Sequence, residues 1–535
     1  MIKKYLIVLI AISISLFACK DGIKVETMPE KTFEEIKLKI PKENKIKQHS
    51  MDSTSFAVIK DSIILSFYQK NNLKTFWVSD VVRGNLLQTL YNLEDEGLFK
   101  SHFPLDSIDK QEQNITNLSD NDLVNYDILL TETLLKYLIK VSRGSIQPNK
   151  FYNDYTLNEN SFDYLTVLKK LQNEDFEAAI ASIKPQHLVY KQLKEALKLI
   201  DEFKINSFPR IDIEDKIRLG DSLEEVAVIK ERLIFWKDLS PKDSLTLLFD
   251  EETELAVQKF QMRHGLAPDG VVGAGTLSAL NITPAERKQQ IIANMERWRW
   301  YPRSFGDEYI ILNIPDYSMQ VVRNNDTTRS HKVIVGKASR KTPVLNSKLT
   351  HLVFNPTWTI PPTIKKNDII PATAKNRSYL TDKNITVYDR SGAVIKPEDW
   401  NQRDAVSYRY VQSPGNYNSL GLVKFMFPNK YAVYLHDTNS RSFFERATRS
   451  LSSGCVRVQN PFELSAYLLD DEEKWSLEKI LNLVKTNKTT EARMNRDVQV
   501  HLLYWSAWSE NGNLKFRDDL YEKDFKLYEA LSNQL

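Results

Sequence analysis

The sequence predicts a multi-domain protein with a mainly α-helical N-terminal domain, a small helical unit, and a mainly β domain that contains a long insertion. Its 535 residues are enough for roughly three or four domains of ordinary size. Apolar residues recur every three to four positions over about residues 56–210, which indicates helices. From about residue 309 the pattern changes to short β-branched and aromatic runs between turn residues, which indicates strands.

The composition narrows the possible functions. Lys and Arg number 73 against 70 Asp and Glu, and 42% of the residues are hydrophobic, which is typical of a globular protein. Charges of both signs are interspersed, so we expect no nucleic-acid partner. The chain has no phosphate-binding loop, no His-Glu-x-x-His and no Cys-x-x-Cys, and a single thiol outside the leader cannot form a thiolate-rich site. We therefore expect no cofactor and no metal.

The first residues have the layout of an export signal. Lys3 and Lys4 precede an apolar run over residues 5–17, which is shorter than the roughly 20 residues that span a bilayer. The run ends in Leu16-Phe17-Ala18-Cys19, which resembles a bacterial lipobox. We expect residues 1–18 to be a signal peptide, Cys19 to be lipidated, and residues 19–55 to be a tether at the periplasmic face of a membrane. An ordinary signal peptide and an uncleaved anchor are the alternatives, and the sequence does not tell the inner membrane from the outer.

A helical domain over residues 56–210 is followed by a second unit at residues 217–281. In this unit Gly220-Asp221-Ser222 can start one helix, and Asp250 can cap another. The unit then carries an ordered series of short blocks: Phe260-Gln261, Gly265-Leu266, Asp269-Gly270, Gly273 and Thr276-Leu277. This series resembles the peptidoglycan-binding domain of many cell-wall enzymes.

The β domain covers residues 308–485, and residues 486–535 form a C-terminal extension. Strands are predicted at residues 309–314, 318–323, 332–336 and 431–436. Between them, about residues 364–420 are long, polar and irregular. Such a segment within a β domain is either disordered or a functional cap.

Two residues of this domain suggest nucleophilic chemistry. His436 lies 19 residues before Cys455, and the intervening chain is long enough to bring them together. A thiol attacks carbonyl carbons as its thiolate, so it needs a base or a positive field, and His436 can be that base. Gly454 removes a side chain beside the thiol and allows a tight turn that aims backbone N–H groups at an oxyanion.

The full string resembles the L,D-transpeptidase family, whose signature is a His-Gly/Asp-Thr block followed by Ser-x-Gly-Cys-Val/Ile-Arg. The matching residues are His436, Asp437, Thr438, Ser452, Gly454, Cys455, Val456 and Arg457. Ser453 replaces the histidine that most members carry, as in the large Gram-negative subgroup with a capping insertion. Residues 336–343, 355–362 and 408–421, and the tail over residues 503–519, also resemble this subgroup, and residues 56–210 resemble its scaffold domain.

The resemblance implies roles for these residues. Cys455 would be the nucleophile and His436 the proton donor and acceptor. Asp437 would orient His436 through its backbone, although a side-chain triad is an alternative. Backbone amides near Gly454 and Cys455 would form the oxyanion hole.

Other residues would bind substrate. Ser452 and Ser453 are candidates, and Arg457 either holds a substrate carboxylate or ties the nucleophile turn together. Trp358 and Tyr434 line the cleft or belong to the core.

The implied reaction cross-links peptidoglycan stem peptides between their third residues, through a thioester on Cys455. The partners would be a tetrapeptide donor stem, an acceptor stem, and the membrane through the lipid. A carboxypeptidase or endopeptidase acting on the same wall is one alternative, and a non-catalytic wall-binding lipoprotein is another. The oligomeric state does not follow from the sequence.

Overall fold

The computed structural model describes residues 46–157, 160–171, 176–204 and 207–533. The predicted signal peptide, the lipidation site Cys19 and most of the tether lie outside these ranges. Among the described residues, no helix is both long and apolar enough to cross a membrane.

The N-terminal domain is helical around a central helix of 24 residues, α5. Ser119 caps this helix by accepting a hydrogen bond from the Asp122 N–H, and apolar residues spaced at three and four face a core of their own. The elements of this domain are α1 (Ser53–Val58), α2 (Ser62–Lys70), α3 (Asp80–Tyr91), α4 (Leu105–Gln113), α5 (Asp120–Arg143), α6 (Pro148–Phe151), β1 (Tyr155–Thr156), α7 (Tyr164–Lys170), α8 (Phe176–Ala181) and α9 (Leu188–Asp201), with 3-10 turns at Leu93–Glu96, Lys100–His102 and Ile115–Asn117.

The second unit is a small bundle of three helices. Its elements are α10 (Glu224–Phe235), α11 (Glu251–Arg263) and α12 (Ala274–Leu280). The Asp250 cap predicted from the sequence is confirmed, since its carboxylate accepts a hydrogen bond from the Thr253 N–H at 2.9 Å. The Gln261 amide closes the glycine-rich turn by donating to Asp269 Oδ1 and Thr276 Oγ1. The ordered glycine blocks therefore shape one turn.

Helix α13 (Pro284–Trp300) is buried along almost its whole length and joins the small bundle to the β domain. It starts with a capping box between Thr283 and Glu286. Two of its buried arginines form ion pairs: Arg297 contacts Asp524 at 2.5 Å and Arg299 contacts Glu296 at 3.1 Å. A buried charge needs such a partner, so these pairs tie α13 into its surroundings.

The β domain is built on a large mixed sheet. Its elements are β2 (Glu308–Asn313), β3 (Ser318–Arg323), β4 (Asp326–Gly336), β5 (Val344–Lys348), β6 (His351–Phe354), β11 (Val423–Met426), β12 (Leu435–His436), β13 (Ser450–Ser452), β14 (Val456–Val458), β15 (Thr490–Arg493) and β16 (Gln499–Leu503), with a 3-10 turn at Arg441–Glu445 and helices α17 (Pro461–Leu469), α18 (Glu472–Trp475) and α19 (Leu477–Val484). In the described part of the chain the order is β1-β5-β16-β2-β3-β4-β14-β12-β11-β6-β15, and β13 pairs with β4.

An insertion between β6 and β11 forms a cap with its own sheet and apolar core. Its elements are β7 (Trp358–Thr359), α14 (Pro362–Ile364), a π-helical turn (Lys365–Ile369), α15 (Ile370–Lys375), α16 (Ser378–Asp382), β8 (Ile385–Tyr388), β9 (Val394–Ile395), a 3-10 turn (Pro397–Asp399) and β10 (Arg409–Gln412). The cap is thus more regular than its sequence predicts, because buried Trp400 and Tyr410 give it a core that the polar composition hides.

One predicted strand is shorter than expected. Of residues 431–436, β12 contains Leu435 and His436 alone. Ala432 has a φ of 54°, which takes the backbone out of the extended region. The preceding residues form a loop beside the nucleophile.

Two further segments complete the β domain. The C-terminal extension forms a hairpin of β17 (Ala507–Glu510) and β18 (Asn513–Phe516) and ends in α20 (Asp524–Ser532). Strand β1 of the helical domain pairs in parallel with β5, Tyr155 opposite Val344 and Thr156 opposite Leu345. The helical domain therefore contributes an edge strand to the sheet of the β domain.

Candidate active site

His436 lies on strand β12 of the large sheet, and Cys455 directly precedes the neighbouring strand β14. Strands β12 and β14 are parallel, with Leu435 opposite Val456 and His436 opposite Arg457. Leu435 and Val456 are fully buried in the core. Because side chains alternate along a strand, His436 and Arg457 share the other face. The charge of Arg457 acts on both His436 and Cys455.

A tight turn presents Cys455 before β14. Gly454 has a φ of 114°, a conformation that side chains other than glycine rarely adopt. The Gly454 N–H donates to Ser452 Oγ at 3.1 Å, and the Ser452 hydroxyl donates to the Cys455 carbonyl at 2.5 Å. Cys455 itself is a free, partly accessible thiol.

These contacts correct two sequence predictions. Ser452 is buried and its hydroxyl is used within the turn, so it shapes the turn rather than offering itself to a substrate. The Gly454 N–H is also engaged, and it is not free to hold an oxyanion. The Cys455 N–H has no acceptor within the described residues and is the better oxyanion donor.

Asp437 does not form a side-chain triad with His436. Its buried carboxylate accepts a hydrogen bond from the Leu422 N–H at 2.9 Å and contacts Arg441 at 3.2 Å. A side chain on Gly421 would collide with this carboxylate. Asp437 therefore anchors the chain that leaves the cap against the strand of the base, which excludes the triad alternative.

The resting pair is neutral. Burial lowers the pKa of His436 to about 3, and the positive charge of Arg457 acts in the same direction. The carbonyls of Asp437 and Leu420 oppose this shift, although buried Nδ1 has no partner at hydrogen-bonding geometry within the described residues. These carbonyls thus orient the ring electrostatically rather than through a well-formed hydrogen bond.

The pKa of the Cys455 thiol is shifted in the opposite direction. Burial raises the pKa of Cys455 to about 11, while hydrogen bonding from Tyr434 and the charge of Arg457 favour the thiolate. At neutral pH the pair is therefore thiol and imidazole. A neutral thiol and imidazole are suited to general-base catalysis, in which an imidazole takes the proton of a thiol during its attack.

Arg457 acts on the pair through its charge. Its guanidinium makes no hydrogen bond or ion pair with any described residue, and its Nε is buried. Burial lowers the pKa of Arg457, and Cys455 acts in the opposite direction. The reading in which Arg457 ties the turn together by hydrogen bonds has no support, and the substrate-carboxylate role stays a prediction.

Two aromatic side chains, Trp358 of the cap and Tyr434, connect the cap with the thiol. The Tyr434 ring lies edge-on to His436, with 5.8 Å between ring centroids. Burial raises the pKa of the Tyr434 hydroxyl, the Cys455 thiol raises it further, and Trp358 lowers it. Both aromatic side chains are half-buried and connect β7 of the cap with the nucleophile.

Sequence reasoning missed Arg340, which joins the cap to the nucleophile turn. Its Nη1 donates to Asp368 of the cap at 2.7 Å and to Ser453 Oγ at 2.8 Å. Ser453, predicted to bind substrate, is exposed at this junction. The one available signal was the resemblance of residues 336–343 to a cleft-lining block.

The site has no metal centre within the described part of the chain, where no group of three or more His, Cys, Asp or Glu side chains could hold an ion. What the site brings together is a thiol, an imidazole, a guanidinium and an open backbone N–H.

Three family models match the chain. Residues 307–486 match an L,D-transpeptidase catalytic domain. The chain carries an L,D-transpeptidase catalytic domain. Residues 222–280 match a peptidoglycan binding domain and residues 62–197 a scaffold domain. The fold class predicted from the sequence is confirmed, and each of the three domains that the sequence resembles is matched by a family model.

Individual relatives resemble parts of this L,D-transpeptidase domain protein. A Haemophilus influenzae protein named as an L,D-transpeptidase is 38% identical over 239 residues, which are 44% of this chain and 48% of that protein. The chain thus matches about half the length of this curated relative. An L,D-transpeptidase structure from Xylanimonas cellulosilytica is 15% identical and covers 55% of this chain and 99% of its own, with a TM-score of 0.18. One from Stackebrandtia nassauensis is 13% identical and covers 56% and 97%, with a TM-score of 0.20.

Proposed function

We propose that the protein is a cysteine-dependent L,D-transpeptidase that cross-links peptidoglycan stem peptides between their third residues. The observation that carries the proposal is that Cys455 directly precedes β14, the strand paired with that of His436, within residues that match the catalytic domain of this family. The substrate would be a tetrapeptide stem whose third residue donates the acyl group.

The first half-reaction forms a thioester. The Cys455 sulfur attacks the carbonyl carbon of the third residue while His436 takes the thiol proton. The developing oxyanion is held by the Cys455 N–H. Collapse of the tetrahedral intermediate breaks the amide bond, and His436 gives the proton to the leaving terminal D-alanine.

The second half-reaction transfers the acyl group. The side-chain amine of a second stem attacks the thioester, and His436 takes a proton from that amine. The new amide forms and the Cys455 sulfur leaves as a thiol with the proton from His436. Since both groups start and end neutral, the cycle returns the pair to its resting state.

The bundle at residues 222–280 would hold the enzyme on the wall, which its family match supports. We also propose export to the periplasmic face and anchoring through lipid on Cys19, on the strength of the N-terminal sequence. Arg457 would bind a substrate carboxylate, because its guanidinium has no ion-pair partner among the described residues and lies near both Cys455 and His436.

The test is intact-protein mass spectrometry of the full chain in detergent, mixed with disaccharide tetrapeptide. We expect an acyl adduct on the wild type and none on Cys455→Ala. His436→Ala should keep the thiol but acylate at least 100-fold more slowly, within the range that a general base contributes. Arg493→Gln, on the exposed edge strand β15, is the control for handling and folding.

The product separates the alternatives. Dimeric muropeptide joined through third residues supports transpeptidation. Adduct decay to free tripeptide without a dimer replaces the proposal with a hydrolase. Wild-type protein that binds isolated wall but gives no adduct at any pH would identify a binding protein instead.

A further inference from the structure

We propose that Tyr521, in the C-terminal extension, is a positioning residue for the nucleophile turn. It lies outside the matched catalytic domain, which ends at residue 486. The inference rests on the proposed function, because its readout is the acylation of Cys455.

The turn that carries Cys455 rests on Thr342. The Thr342 hydroxyl donates to the Gly454 carbonyl and accepts from the Gly336 N–H, both at 2.9 Å. Thr342 is fully buried, so no water replaces these bonds. One hydroxyl thus sets the distance between the end of β4 and the peptide that precedes the nucleophile.

Tyr521 hydrogen-bonds both ends of the loop between Gly336 and Thr342. Its hydroxyl donates to the Gly336 carbonyl at 2.7 Å and accepts from the Thr342 N–H at 3.0 Å. The ring is buried to 2% exposure, and Lys341 Nζ donates to the Tyr521 carbonyl at 3.1 Å. Gly336, Thr342 and Gly454 are therefore linked to Tyr521 by an unbroken chain of short hydrogen bonds.

The extension that carries Tyr521 is itself fixed at several points. The Tyr521 N–H donates to Tyr504 Oη at 3.1 Å, and Tyr504 donates to Asp519 at 2.6 Å. Lys523 contacts Asp154 of the helical domain at 2.7 Å. Tyr521 is thus held by both the sheet and the helical domain.

This arrangement bears on catalysis through geometry. The peptide between Gly454 and Cys455 supplies the Cys455 N–H, so the Thr342 hydroxyl that donates to the carbonyl of this peptide orients the oxyanion donor. Displacement by about 1 Å costs on the order of 100-fold in rate when the reacting groups are otherwise intact. Tyr521 contacts neither the substrate nor the thiol and would act through Gly336 and Thr342.

The central variant is Tyr521→Phe in the full chain, which keeps the ring and removes both hydrogen bonds. We expect the acylation rate constant per folded molecule to fall at least tenfold, with the KM for tetrapeptide within twofold of wild type. Thr342→Val should reproduce this loss, and Thr342→Ser, which keeps the hydroxyl, should recover most of the rate.

A second readout should move in the opposite direction. A looser turn exposes the thiol to water, so its pKa falls toward the ordinary value and more thiolate forms at pH 8. Alkylation of Cys455 by iodoacetamide should therefore become faster in Tyr521→Phe while acylation becomes slower. A loss of catalytic groups alone would not produce this pair of changes.

Tyr190→Phe is the matched control, because Tyr190 is an equally buried tyrosine that hydrogen-bonds Glu96 in the helical domain. It should lower thermal stability without changing either rate. Equal acylation rates in wild type and Tyr521→Phe, or a Thr342→Ser variant as slow as Thr342→Val, would overturn the inference. If wild type forms no adduct, the proposed function fails, and the alkylation shift in Tyr521→Phe still tests the positioning.

Discussion

The nucleophile turn is held in two different ways on its two sides. Below it, Thr342 and Tyr521 form neutral hydrogen bonds that are fully buried. Above it, the cap reaches the turn through Arg340 and Asp368, and the Asp368 carboxylate is 44% exposed. A broken buried bond costs about 1–3 kcal/mol, whereas an exposed ion pair contributes about 0–1 kcal/mol.

The difference indicates which part is fixed and which can move. The lower contacts are strong enough to preserve the geometry of the thiol throughout a reaction cycle. The upper contact is weak enough to break and re-form, as the contacts of an active-site cap do when a ligand enters and leaves. The buried hydrogen bonds below the nucleophile turn are thus fixed, whereas the ion pair between the turn and the cap can open.

The largest effect is expected from Gly336→Ala, which disrupts the buried hydrogen bonds below the nucleophile turn. A Cβ here would lie within 3 Å of the backbone at Lys341 and Thr342, and that backbone must shift. We expect the free energy of unfolding to fall by about 1–3 kcal/mol and acylation to drop more than tenfold. Urea denaturation and adduct formation measure the two effects. Gly84→Ala, in helix α3 with open space around it and without a left-handed backbone, is a control for the glycine change.

A smaller effect is expected from the charge beside the thiol. Because the pKa of Cys455 is raised to about 11, its alkylation rate should rise about tenfold per pH unit between pH 7 and pH 10. Arg457→Gln removes a cation that favours the thiolate, so the pKa rises further and the rate at pH 8 falls several-fold.

The measurement is iodoacetamide labelling followed by mass spectrometry, with Arg493→Gln as the control. A rate that is already constant near neutral pH would contradict the neutral pair and indicate a thiolate and imidazolium instead.

The smallest effect is expected from Asp368→Asn, which removes the ion pair between the cap and Arg340. Because the Asp368 side of the pair with Arg340 is exposed to water, the free energy of unfolding should change by about 0–1 kcal/mol, and less at high salt. Thermal denaturation at low and high ionic strength checks this. A loss of unfolding free energy as large as that of Gly336→Ala would show that the cap is held as rigidly as the buried contacts below the nucleophile turn.

The sequence predicted the local features of this site. Cys455, His436 and Gly454 form motifs a few residues long, and the strands at residues 318–323 and 309–314 follow from alternation and β-branched composition. The N-terminal capping of helix α11 by Asp250 was predictable because helix capping depends on residues three positions apart.

The remaining contacts depend on tertiary structure. Arg340 and Ser453 are 113 positions apart, and Tyr521 and Gly336 are 185 apart. A single tyrosine in a polar tail has no pattern that would distinguish a core residue from a support of the active site. The uses of Ser452 and of the Asp437 carboxylate were likewise hidden, because the same motif allows either orientation.

Strand β1 has a consequence for any attempt to divide the molecule. Tyr155 and Thr156 of the helical domain cover the edge of β5, and unpaired edges template association with another chain. A catalytic domain produced without the helical domain would expose this edge and, beside it, the face of Lys523 that now meets Asp154. The isolated domain should therefore self-associate, so these two domains are better inherited, exchanged and engineered together.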